Sequence, residues 1–192
     1  MTQDYYQQQA ESFFNNTIQV DMSPLYQEFL ALIPEGAHII DAGCGSGRDS
    51  QYFSDLGFQV TAFDASPALV ELAQAHTGLP VHLSTFLEFI STQAVDGIWA
   101  CASLLHVPFN ELSITFKHLA QFLRTDGVFY CSFKYGDDEV SRDGRHFTNL
   151  NESRLLDVLM GTGLSLHKHW QTGDQRAGRE DERWLNALLI KQ

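Results

Sequence analysis

The sequence predicts an α/β domain built on a doubly wound, mainly parallel sheet with helices on both faces. Three observations predict it. Short apolar runs alternate with stretches of helical periodicity along most of the chain. A glycine loop, Gly43-Cys44-Gly45-Ser46-Gly47, leaves the first apolar run and enters a helix. The last two apolar runs have no helical stretch between them, so they form an antiparallel pair at one edge of the sheet.

The elements follow in order. Asp4 to Asn15 sets Tyr6, Ala10, Phe13 and Phe14 at near-helical spacing, either as packing or as a cover over a binding site. Ser23-Pro24 begins a second helix, with serine as N-cap and proline in the first turn. Leu25, Phe29, Leu32 and Ile33 line its inner face, and Pro34-Glu35-Gly36 ends it. Residues 1–35 are therefore expected to form an N-terminal helical cap on a single domain spanning 1–192.

Ala37 to Asp41 reads as a buried strand. After the glycine loop comes a helix from Arg48 to Leu56, closed by Gly57. Phe58 to Phe63 is the second strand, ending at Asp64. Ser66-Pro67 starts a helix to about His76. Val81 to Leu83 and Val95 to Ala102 are the third and fourth strands. Leu112, Phe116, Leu119, Phe122 and Leu123 mark the next helix. Asp126-Gly127 reads as a turn before a fifth strand, Val128 to Phe133. Lys134 to Leu150 is polar and contains glycine, so it reads as a long loop, a common home for function. Leu155, Leu156, Val158 and Leu159 mark a last helix. Leu164 to Trp170 and Arg183 to Lys191 are the closing strands.

Composition narrows the function. The formal net charge is −12, and an acidic surface repels a phosphate backbone, so a nucleic-acid partner is not expected. The densest basic stretch, Arg176 to Arg183, is interleaved with Glu180, Asp181 and Glu182. Cys44, Cys101 and Cys131 form no CxxC pair and suit neither zinc nor a disulfide framework, so no metal is expected. Reduced cysteines, a polar start and the lack of a long apolar run point to a cytoplasmic protein without a membrane partner, as a monomer or homodimer.

The glycine loop carries the ligand chemistry. Glycines there permit a tight turn and close approach of backbone to a ligand, and the helix start adds free N–H groups. Asp64 ends the second strand about twenty residues further on, where a carboxylate can accept hydrogen bonds from both hydroxyls of a ribose. A dinucleotide loop runs GxGxxG; here the third glycine position is Arg48, which crowds the helix–strand contact, and the pattern is GxGxG. A nicotinamide-dependent oxidoreductase is therefore the second reading.

The segments Ile39 to Gly47, Ala62 to Ser66 and Asp96 to Ala100 resemble those of class I S-adenosylmethionine-dependent methyltransferases. Over nearly the whole chain the sequence is similar to small bacterial methyltransferases of the tellurite-resistance type. The resemblance implies a Rossmann-like, seven-stranded sheet with its last strand antiparallel, S-adenosyl-L-methionine as cofactor, and transfer of its methyl group to a small molecule. It implies that Gly43, Cys44, Gly45 and Gly47 face the methionine portion. Asp41 would steady the loop or the cofactor's amino group, Asp64 would bind the ribose, and Ala65 would lie along the adenosine. Where the family often has an acidic residue near the adenine, this chain has Ser84-Thr85-Phe86, so Thr85 and Phe86 are the substitutes. Ala100 and Cys101 would line the cofactor at the end of the fourth strand. A binding protein of this type without turnover is the third reading.

A sulfonium methyl is already electrophilic, so alignment matters more than activation, and a base is needed only where the acceptor must lose a proton. Thiolates and soft oxyanions need none. His106 is a candidate base or substrate hydrogen-bond donor. Tyr135 and Arg145 are further candidates for substrate positioning in catalysis. Tyr6, Lys134, Arg176, Arg179 and Trp184 are expected around the substrate, the arginines suiting an anionic group. His38, His76 and His82 are expected to be structural.

Overall fold

The computed structural model describes residues 2–174, 179 and 181–192. Its elements run α1 (Thr2–Gln8), α2 (Ala10–Thr17), α3 (Ser23–Leu30), β1 (His38–Ala42), α4 (Arg48–Asp55), β2 (Gln59–Asp64), α5 (Pro67–Thr77), β3 (Val81–Leu83) and β4 (Val95–Ala100). A 3₁₀ turn (Leu104–His106) leads to α6 (Phe109–Ala120), β5 (Leu123–Lys134), β6 (Glu139–Arg142), β7 (Arg145–Thr148), α7 (Glu152–Leu159), β8 (Leu164–Gly173) and β9 (Arg183–Lys191).

Seven strands form one sheet in the order β3-β2-β1-β4-β5-β9-β8. β1 pairs in parallel with β2 and β4, and β5 continues the parallel set. β9 runs antiparallel between β5 and β8. The expected doubly wound sheet and its edge pair are both present. The reversal of order lies between β1 and β4, and in open α/β sheets the ligand crevice opens there, beyond the carboxyl ends of the strands.

Side-chain alternation along β1 explains the layers. Ile39 faces one side, packed with Phe29, Ile33, Phe53, Trp99 and Tyr130 beneath α3 and α4. Ile40 faces the other, with Phe116, Leu119, Leu155 and Val158 of α6 and α7. Trp99 and Tyr130 stack at 3.9 Å between ring centroids on neighbouring strands. α5 closes over β2 and β3 through Val70 and Ala73.

Three local expectations are corrected. The N-terminal periodicity yields two helices with a break at Gln9, and α3 belongs to the core beneath the sheet. Of the expected 1–35 cap, only α1 and α2 therefore lie over α5. Asp126-Gly127 lies inside β5, where the register against β4 shifts between Val95 and Gly97; Asp126 takes φ +62°, so turn-forming residues serve a bulge. The stretch 134–150 is not a plain loop. β6 and β7 form a hairpin across it, joined by Asp143-Gly144 at φ +52° and +75°, values that suit a two-residue hairpin turn.

Candidate active site

The loop after β1 begins with two N–H groups, from Gly43 and Cys44, both donating to the Phe63 carbonyl at 3.0 Å. This ties the loop to the end of β2. A methyl group on Gly43 would lie 2.7 Å from Ser103 Cβ, so only glycine lets the loop pass beneath the β4 end. Asp64 then stitches the crevice. Its carboxylate accepts the Gly45 N–H and the Ser66 N–H, each at 2.9 Å. Burial raises the Asp64 carboxyl, while these N–H groups oppose the shift by favouring the charged form.

Two cavities open beside this loop. The wider, about 400 Å³, is bordered by Asp64, Ala65, Thr85, Phe86 and Ser103 together with Thr2 and Gln3 of α1. The narrower, about 160 Å³, is bordered by Cys44, Arg48, Asp49, Cys101, Lys134, Arg145, Arg179 and Trp184. They meet at Tyr6, Phe13, Gly43, Gly45, Ala102 and His106, which border both.

The cover is held by long-range bonds. Gln3 donates to the Ala65 carbonyl at 3.0 Å, and the Ala68 N–H donates to the Gln7 amide oxygen at 3.1 Å. The His146 N–H donates to Thr2 Oγ1 at 2.9 Å. Arg48 donates to the Thr17 carbonyl at 3.3 Å, and Phe14 meets His76 edge-on.

His106 has a defined proton arrangement. Its Nδ1 lies 2.7 Å from the His146 carbonyl, which only accepts, so Nδ1 carries the hydrogen. Its Nε2 then accepts from the Tyr6 hydroxyl at 2.8 Å. Burial, joined by the guanidinium of Arg145 and the ammonium of Lys134 nearby, pushes the imidazole down to about 4. Neutral His106 is thus an acceptor at Nε2, which excludes its role as a donor to substrate from that nitrogen. Burial raises the Tyr6 phenol, while the Arg145 guanidinium beside it pulls the other way.

Arg145 starts β7 and lies 4.2 Å over the Tyr5 ring, with Phe147 at 5.1 Å; its contact to Asp143 is long, at 3.7 Å. Lys134 pairs with Glu182 at 2.7 Å, and Arg179 reaches the same carboxylate at 3.6 Å. Trp184 donates to Asp174 at 3.1 Å.

Several expected site residues stand elsewhere. Tyr135 borders neither cavity. Alternation at the end of β5 sends Lys134 inward and Tyr135 outward, where its hydroxyl donates to Glu152 at 2.9 Å. Ala100 is buried in the core on the α6 face, and its neighbour Cys101 turns to the narrow cavity instead. Asp41 also borders neither cavity. It accepts from Ser50 at 2.5 Å, and burial, reinforced by Asp49, lifts its carboxyl to about 8, so it steadies α4 behind the loop. Gly47 borders neither cavity; a methyl there would meet Ala73 and Thr77, so this glycine serves the contact of the loop with α5. Cys44 and Cys101 border the narrow cavity rather than the wide one, both with thiols raised by burial. Arg176 lies outside the described residues. His38 and His76 have structural partners, Thr61 and Phe14.

Asp49 is the largest omission from the sequence reading. Buried one turn ahead of Phe53 on the inner face of α4, it accepts from Tyr26 at 2.5 Å, Trp99 at 2.7 Å and Arg48 at 2.6 Å. The charged and hydrogen-bonded partners hold its carboxyl low despite burial. An acid sharing a helix face with phenylalanine was the available sign. Arg48, read from sequence as an obstacle to a dinucleotide, is the partner of this acid and part of the cavity wall. Ser132 was missed too: its hydroxyl accepts the Ala102 N–H at 2.8 Å, where Ala102 takes φ +50°.

Among the described residues no helix is long and apolar enough to cross a membrane, and no cluster of three metal-ligating side chains is found. A ubiquinone biosynthesis O-methyltransferase of Xanthomonas axonopodis pv. citri (strain 306) is 31% identical over 120 residues, 58% of this chain and 49% of that protein. The chain thus spans about half the length of that curated relative. The crystal structure of Burkholderia thailandensis 1,6-didemethyltoxoflavin-N1-methyltransferase, with bound 1,6-didemethyltoxoflavin and S-adenosylhomocysteine, superposes with a TM-score of 0.80 at 21% identity, covering 98% of this chain and 84% of that one. A TehB-like SAM-dependent methyltransferase from Corynebacterium glutamicum ATCC 13032 Kitasato has the same fold, with a TM-score of 0.73 at 21% identity over 99% and 98% of the two chains. Residues 14–169 match the family described as methyltransferase domain. With that match reaching from α2 through β8, the chain belongs to the methyltransferase-domain family.

Proposed function

We propose that this chain is an S-adenosylmethionine-dependent methyltransferase acting on a small-molecule acceptor. One observation carries the reading: two cavities of unequal size share a wall at the glycine loop, so a donor and an acceptor can meet end to end. The wide cavity suits S-adenosylmethionine. Phe63 and Phe86 offer flat aromatic walls and Leu69 an apolar one to a base, Asp64 offers a carboxylate to ribose hydroxyls, and Gly43 and Gly45 let the backbone approach. When bound there, the sulfonium supplies an electrophilic methyl group. The chain's own work is to align the acceptor and exclude water, which α1 and α2 do by covering both cavities. The narrow cavity supports a small acceptor. The relatives' names, an O-methyltransferase of ubiquinone biosynthesis and a 1,6-didemethyltoxoflavin-N1-methyltransferase, agree with that class.

Calorimetry with S-adenosylmethionine, S-adenosylhomocysteine and NADH tests the reading. The first two are expected to bind. Asp64→Ala is expected to weaken them by about 1–3 kcal/mol through lost ribose hydrogen bonds and a loosened Gly45 N–H. Binding of NADH alone refutes the proposal.

A further inference from the structure

Resting on the methyl-transfer reading above, we propose that Tyr6 and His106 form a proton relay at the transfer point, and that the acceptor atom is an O–H or N–H group that must lose its proton. A methyl passing between the cavities passes among Tyr6, Phe13, Gly43, Gly45, Ala102 and His106. Only Tyr6 and His106 of these carry side chains able to move a proton. They are already joined, and the direction of the chain of bonds is set. The Tyr6 hydroxyl donates to His106 Nε2 at 2.8 Å, and His106 Nδ1–H donates to the His146 carbonyl at 2.7 Å. The Tyr6 oxygen keeps acceptor capacity at the cavity wall.

The step balances as follows. The lone pair of the acceptor atom forms the new bond to carbon while the electron pair of the breaking S–C bond stays on sulfur. The acceptor's proton passes to Tyr6 Oη as the Tyr6 proton passes to His106 Nε2. The products are methylated acceptor, a neutral thioether and the His106 imidazolium, whose proton returns to water when product leaves. One positive charge is present before and after, so no charge is created in the buried site. Arg145 steadies the phenol oxygen during the exchange.

His106 is a weak base, held at about 4 by burial and by Arg145 and His146 of β7 and Lys134 of β5. That strength suffices, because the acceptor's proton becomes strongly acidic as its atom bonds to carbon. It also keeps Nε2 unprotonated through the neutral range. Asp64, near Tyr6 on the cofactor side, disfavours a lasting phenolate and so favours a concerted exchange. A thiolate or soft oxyanion gains nothing from such a relay.

The test uses the full chain with S-adenosylmethionine labelled in its methyl group. The acceptor panel is 3,4-dihydroxybenzoate, a hydroxynaphthoquinone, xanthine, 4-nitrothiophenol (a thiol already ionised at neutral pH) and selenite. An O–H or N–H member is expected to be methylated. Tyr6→Phe and His106→Gln are each expected to lower kcat on it about 100-fold or more, with the double variant no worse than either single one. Wild-type kcat/KM is expected to be flat from roughly pH 5.5 to 8, whereas in Tyr6→Phe it climbs about tenfold per pH unit towards the acceptor's own pKa. Transfer to the thiol is expected to fall at least about tenfold less than transfer to the O–H or N–H acceptor in either variant. Methylation of the thiol or selenite alone overturns the relay, as do equal losses on every acceptor or an unchanged pH profile. No transfer to any O–H or N–H member, in a protein that binds S-adenosylmethionine, also overturns it. Failure to bind S-adenosylmethionine is a different result and removes the methyl-transfer reading itself. If His106→Gln unfolds, Tyr6→Phe carries the test, since it deletes one hydroxyl and leaves the Tyr6 ring contacts to Tyr5 and Phe13 in place.

Discussion

Gly43→Ala measures how tightly the loop is fitted. Two costs arise at this position. Gly43 has φ +75°, and an L side chain in that region costs about 1–2 kcal/mol. The new methyl would also sit 2.7 Å from Ser103 Cβ and 3.4 Å from Phe86. Neither side yields freely, because the Gly43 N–H is bound to Phe63 and Ser103 Oγ is bound to the Ala42 carbonyl at 2.7 Å. Overpacking of this kind costs a further ~1–3 kcal/mol. Gly57 supplies the control: it has φ +88° and nothing within 4 Å of the added methyl, so Gly57→Ala bears the backbone strain alone. Urea unfolding of the two variants is expected to differ by about 1–3 kcal/mol at equal m-value, with Gly43→Ala the weaker. Calorimetry on the folded Gly43→Ala protein is expected to show at least a tenfold loss, about 1.4 kcal/mol, in affinity for S-adenosylmethionine. Equal unfolding costs, or full affinity, refute the reasoning.

Further outcomes follow from the polar core. Asp49→Ala leaves Tyr26 and Trp99 without their acceptor and half-buried Arg48 without its carboxylate partner, and is expected to cost about 3–5 kcal/mol in urea unfolding; a loss under about 1 kcal/mol contradicts the hub. Asp41 is raised to about 8, so between the ordinary carboxylate range and that value the folded state holds a proton the unfolded chain has released. Its contribution to stability therefore falls as pH rises through this window, and Asp41→Asn, which can still accept from Ser50, is expected to narrow the difference between urea midpoints at pH 5 and pH 9. A difference as large as in the parent protein counts against this. Tyr135→Phe removes an exposed bond to Glu152 away from both cavities and is expected to change cofactor affinity and turnover by less than about twofold; a large loss of turnover returns Tyr135 to the site.

The legible part of this protein was local. Glycines at 43, 45 and 47 and the acid at 64 announce a tight strand-to-helix loop beside a carboxylate, because a left-handed turn and a strand-end acid are properties of a few consecutive residues. Alternating periodicities likewise announce the sheet and its helices. Prediction faltered where a neighbour in space decides. Whether Ala100 or Cys101 meets the cavity, or Lys134 or Tyr135, is a matter of strand register, and one residue reverses the face. The hairpin of β6 and β7 looked like a loop because its strands are polar and β6 is exposed throughout.

By itself, then, the sequence determined the class of sheet, the glycine loop and the family resemblance, since each rests on spacing within a few turns or strands. Only the tertiary structure decided which residues stand at the meeting of the two cavities. Tyr6 reaches His106 across 100 residues, and Thr2 reaches His146 across 144. No local pattern encodes such contacts, because they exist only once the fold has set the 3₁₀ turn after β4 and the start of β7 beneath the N-terminal helices.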